Sequence, residues 1–171
     1  MKHAVVLIGC LVFCSSLFSQ PKMQSATPST PQFDRLKALA GSWKATDEEG
    51  KTVLATYKIV SNGTALMESL DMADHADAMI TMYHLDGGRV LLTHYCSMGN
   101  QPRMRAAKST PGDSTLTFSF VDATNLPDRK DAHMSGLVVT FTDGDHFTQR
   151  WTMEKDGKTA HRAVFAFERV K

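Results

Sequence analysis

Residues 82–104, MYHLDGGRVLLTHYCSMGNQPRM, read as strand, turn, strand, turn, strand. Val90, Leu92, His94 and Cys96 alternate with Leu91, Thr93 and Tyr95, the period of two that a pleated strand imposes on its side chains. Asp86-Gly87-Gly88 and Gly99-Asn100 bound that run with residues that accept the positive φ of tight hairpins. A strand with a short turn on each side pairs with both of its chain neighbours, so the stretch specifies an antiparallel meander.

The same grammar extends in both directions. Further turn signals stand at Glu49-Gly50, Asn62-Gly63, Pro111-Gly112-Asp113, Asp143-Gly144-Asp145 and Lys155-Asp156-Gly157. Between them apolar residues alternate, as in Val53, Ala55, Tyr57 and Ile59, in Leu116, Phe118 and Phe120, and in Phe147, Gln149, Trp151 and Met153. Leu126 to Met134 is the one segment that reads as a longer loop. The fold class is therefore all-β: an antiparallel up-and-down β-barrel of about eight to ten strands, because closure buries the apolar face and removes exposed edges. A barrel of that size leaves room for a small ligand.

Upstream of the meander, Thr30 is a helix cap, Pro31 sits in the first turn, Phe33, Leu36, Leu39 and Ala40 recur at helical spacing, and Gly41 is a stop. One short N-terminal helix is expected there. Residues 20–32, QPKMQSATPSTPQ, are rich in Pro, Ser and Thr and read as a flexible linker. Residues 1–19 have a basic start, an apolar run from Ala4 to Phe13 and a polar end, the pattern of a signal peptide. Cleavage near Ser19 would leave residues 33–171 as the barrel domain, located in the periplasm or outside the cell. Leu7-Ile8-Gly9-Cys10 formally resembles a lipoprotein box, but the apolar run continues past it, so a lipid-anchored form is disfavoured.

The 171-residue chain carries 19 Lys and Arg against 18 Asp and Glu, and loss of Lys2 with the signal leaves 18 of each. No basic stripe argues for nucleic acid, and the mature chain has no apolar run of the roughly 20 residues a transmembrane helix needs. Cys10 and Cys14 leave with the signal, so Cys96 has no internal disulfide partner and stability must come from the core.

Gly41-Ser42-Trp43 behind a short helix resembles the Gly-x-Trp signature of lipocalins and their calycin relatives. LAGSWKA (39–45) together with residues 82–104 is similar to an uncharacterised family of small exported bacterial lipocalin-like proteins. The resemblance implies a barrel closed at one end by the helix, with Trp43 packed beneath it under an arginine of a late strand, Arg150, Arg162 or Arg169. It also implies a small hydrophobic or amphipathic ligand in the interior. Haem-binding barrels of the nitrobindin type are an alternative relative, with His84, His94, His133, His146 and His161 as candidate axial ligands.

His94 and Cys96 share a strand face about 7 Å apart. Catalysis by the pair needs the imidazole to activate the thiol, and zinc needs further ligands that no CxxC or HxxxH cluster supplies, so neither a catalytic nor a metal site is assigned. No cofactor is assigned either. His84, across the expected Asp86–Gly88 turn, falls roughly 13 Å from His94 along the ladder. The imidazole of His94 is expected to find a neighbour such as Glu68 or Gln149. Inward parity and the motif nominate Tyr57, Glu68, Tyr83, His94, Cys96, Phe118, Gln149 and Trp151 as ligand contacts. Gly99-Asn100 and Pro102 suit a turn and the edge of the next strand; alternatively Asn100, Gln101, Arg103 and Arg105 form a polar rim in which arginine offers a bidentate fork to an anionic or amide head, and the residues leave both readings open. The ten methionines suit core filling or an adaptable pocket wall.

Overall fold

A computed structural model describes residues 29–108, 110 and 112–171. The expected signal peptide, with Cys10 and Cys14, and the linker up to residue 28 lie outside the described residues. Helix α1 (Pro31–Lys37) precedes ten strands among the described residues. The first five are β1 (Gly41–Thr46), β2 (Thr52–Val60), β3 (Ala65–Met72), β4 (Met79–Asp86) and β5 (Arg89–Tyr95). The second five are β6 (Gln101–Ala106), β7 (Thr115–Thr124), β8 (His133–Phe141), β9 (His146–Lys155) and β10 (Lys158–Arg169). Each strand pairs antiparallel with its chain neighbour, and β1 pairs with β10 to close the barrel. The expected antiparallel up-and-down barrel with one short helix is what forms.

The turn chemistry explains the connections. Asp156 and Gly157 both adopt positive φ (55° and 70°), as do Gly87 and Gly88 (56° and 77°), the type I′ requirement that matches strand twist. Two connections carry no such signal. Residues 125–132 form the expected long loop, which ends two residues earlier than expected because β8 begins at His133. Residues 73–78 form a second loop whose Ala, Asp and His composition hides it.

Thr30 caps α1, its hydroxyl accepting from the Phe33 amide at 3.2 Å, and Phe33 and Leu36 are wholly buried against the barrel. Each such side chain contributes about 1.5–3 kcal/mol of transfer free energy. Beneath the helix the Trp43 indole donates to the Leu39 carbonyl at 2.7 Å and meets Phe147 edge-on at 4.7 Å between centroids. Of the three candidate arginines it is Arg169 that covers Trp43, 4.1 Å from the ring centroid. Its guanidinium also donates to the carbonyls of Ala38 and Ala40 at 3.1 Å each. Gly41 must be glycine: its φ is +130°, and a Cβ there would sit 3.0 Å from Arg169 Nη1. The helix end is thus packed shut, and any opening lies at the other end.

Candidate functional site

Midway along the barrel the inward polar residues satisfy one another. Tyr83 donates to Glu68 Oε2 at 2.5 Å, and Gln149 Nε2 reaches Glu68 Oε1 at 2.8 Å and the Tyr57 hydroxyl at 2.7 Å. The Trp151 indole then donates to Gln149 Oε1 at 3.0 Å. Burial pushes the Glu68 pKa above the usual carboxylate range, while hydrogen bonds from Tyr83, Gln149 and Tyr57 pull it back. Burial first, then the neighbouring Glu68 charge, hold both tyrosines far above their ordinary value. Phe118 lies beside this network, its ring 6.0 Å from that of Tyr83.

His94 sits one level nearer the open end. Its partner is Thr81, directly opposite on β4, with Oγ1 3.0 Å from Nδ1, and not the expected Glu68 or Gln149. Those two are engaged with the tyrosines and with Trp151. His94 is 1% exposed, yet its Nε2 has no hydrogen-bond partner. Burial lowers its pKa from 6.5 to about 4, so the imidazole is neutral at physiological pH. Its ring lies 4.7 Å from that of Trp151, so β5 and β9 touch across the barrel.

Beyond that contact, towards the end opposite the helix, lies a cavity of about 220 Å³. His94, Cys96 and Trp151 line it, with Met72, Met79, Met98, Met134 and Met153 forming much of the wall. His75, in the 73–78 loop, contributes a second buried imidazole nitrogen, Nδ1, that lacks a partner. His161 stands at the mouth.

Of the expected ligand contacts, the structure therefore brings His94, Cys96 and Trp151 together on one cavity. Tyr57, Glu68, Tyr83 and Gln149 form the network beneath it. Asn100 and Gln101 fasten loops: Asn100 Nδ2 donates to the Ala132 carbonyl at 2.9 Å, and Gln101 Oε1 accepts from Thr124 and Asn125. Arg103 is on the outer wall, paired bidentately with Asp122 directly across the β6–β7 ladder, and does not reach the cavity. His133, placed by the sequence in the 126–134 loop, instead opens β8 and is 3% exposed, with its Nδ1 2.7 Å from the Asp131 carbonyl. His75 and the methionine wall were not among the nominated contacts.

Among the described residues no hydrogen bond joins His94 to Cys96, and an imidazole with a pKa near 4 is a weak base for a thiol. Of the candidate haem histidines, His94 and His161 line the cavity; His84, His133 and His146 do not.

No family model matches the chain, and no curated protein matches it. Among solved structures it is similar to a protein of unknown function of the DUF3598 family from Nostoc punctiforme, with a TM-score of 0.52 and 13% identity. That alignment covers 79% of this chain and 49% of the other, so the chain spans about half the length of that relative. A second structure, EF1p2_mFAP2b bound to DFHBI, aligns over 79% of this chain and 96% of its own, with 12% identity and a TM-score of 0.34, too low to bear on function. The likeness shows a shared fold. Fold and site together define a closed ten-stranded antiparallel up-and-down β-barrel, plugged at its helix end and with a cavity at the other.

Proposed function

We propose that this chain is an exported protein that reversibly binds a compact apolar or amphipathic molecule in the cavity at the open end of the barrel. The observation that carries the reading is the unpartnered Nε2 of the fully buried His94, set in a wall of thioethers and indole. A ligand hydroxyl or N–H would satisfy that nitrogen while its apolar body covers Met153, Trp151 and Phe165. The walls supply affinity and the imidazole supplies orientation. At about 220 Å³ the cavity is below the range of about 300–1,000 Å³ that encloses drug-sized ligands, and a porphyrin is larger still. A compact ring system is the better fit, and haem is the lesser reading.

The test compares 2-naphthol with naphthalene by fluorescence titration. The hydroxyl should tighten binding about five- to tenfold, the effect of one buried hydrogen bond. Saturable binding of neither compound contradicts the proposal. Export rests on residues 1–19 alone. Protein recovered from the periplasm should begin near Gln20, and recovery only from the cytosol with Met1 intact would contradict it.

A further inference from the structure

We propose that the mouth of this cavity is a binding site for a soft monovalent metal ion, Cu(I), held by His94 Nε2, the Cys96 sulfur and the thioethers of Met134 and Met153.

The barrel register sets these donors on two successive levels, His94 on the lower and Cys96, Met153 and Met134 on the upper. β5 and β9 touch at His94 and Trp151. Both strands run from there towards the open end, so the next inward residues, Cys96 and Met153, each lie one pleat step above that contact on facing walls. Met153 pairs directly with Met134 on β8 and with His161 on β10, and all three line the cavity. Directly opposed side chains of that kind stand about 4.5–5.5 Å apart at Cβ. Register shifts interrupt the ladders at Met134/Gly136 and at Thr159/His161, the kind of bulge that re-aims a side chain at a barrel rim.

The donor chemistry selects the ion. Thiolate and thioether sulfur with imidazole is the set that prefers Cu(I), whereas hard cations want carboxylates. Among the described residues no group of three or more His, Cys, Asp or Glu is placed to hold a metal, so zinc lacks its tetrahedral set. The methionines complete a soft site where such ligands run out. Charge balances as well: Cys96 releases its proton to solvent on coordination, and Cu(I) with one thiolate is neutral in an apolar cavity. The Trp151 ring beneath adds an aromatic face to a cation. His94 presents a buried Nε2 with no hydrogen-bond partner, as a ligand nitrogen must.

The inference goes beyond the organic-ligand reading and is separable from it. The purified protein is titrated anaerobically with Cu(I) against bathocuproine disulfonate, with tryptophan emission as a second signal. One equivalent should be withdrawn from the chelator and the emission quenched. Met134→Leu and Met153→Leu preserve volume and should each weaken retention about tenfold or more without changing the circular dichroism spectrum, as should Cys96→Ser. Zn(II) should not compete, and 2-naphthol should. Failure to withdraw copper, or wild-type retention in Met153→Leu and Cys96→Ser, overturns the site. Copper failure with intact 2-naphthol binding refutes the ion alone; failure of both refutes the cavity.

Discussion

Lowering the pH should destabilise this barrel through one imidazole. His94 has a folded pKa of about 4 against 6.5 for an ordinary histidine. The unfolded chain therefore binds the extra proton between those values, and the stability His94 contributes is present above pH 6.5 and lost as the pH falls towards 4. The shift corresponds to about 3 kcal/mol lost by pH 4. That is a large share of a typical 5–15 kcal/mol. Glu68 acts in the opposite sense: with its folded pKa raised above 4.5, its contribution is complete below 4.5 and lost as the pH climbs through the raised value. Asp34, Asp122 and Asp143 have lowered values, so their contributions fade only below about 3.8. Urea unfolding from pH 8 to pH 4 on the native chain and on His94→Gln, which keeps a partner for Thr81, isolates the imidazole as the difference between the two curves. The native chain should lose about 3 kcal/mol more than the variant over that window. Parallel curves would refute the assignment of a buried, neutral His94.

Gln149→Leu strips partners from Glu68, Tyr57 and Trp151 at once and should destabilise by about 2 kcal/mol or more in chemical unfolding. Gly41→Ala meets both a positive φ and the Arg169 guanidinium, so it should cost about 1–3 kcal/mol, seen as a Tm lowered by several degrees. Arg103→Ala, which a rim contact would make a binding mutant, should leave both 2-naphthol affinity and Tm essentially unchanged, because its exposed pair with Asp122 is on the outer wall.

The fold was legible because its information is local. Tight turns need Gly, Asn or Asp at particular positions, and those residues stood at seven of the strand connections. The 73–78 loop lacks that chemistry, so no local signal points to His75. Parity also showed which side chains point inward, but not how deep along the barrel axis each one lies. Tyr57, Glu68 and Gln149 share inward parity with Trp151 and Cys96, yet whether they bond one another or face a cavity depends on contacts across the barrel, between residues 81 and 92 positions apart. No local pattern encodes that. Arg103 is different: it flanks the inward Pro102 and Met104 on β6, so alternation alone placed it outside, and the attraction of a bidentate fork outweighed that signal.

The most direct test of the central claim is a methionine-methyl NMR spectrum recorded during a 2-naphthol titration. Met72, Met79, Met98, Met134 and Met153 line the cavity, whereas Met67, Met82 and Met104 do not. Saturable shifts confined to the first group place the ligand in the open end of the barrel. Shifts spread over both groups, or none up to the solubility limit, would contradict the account.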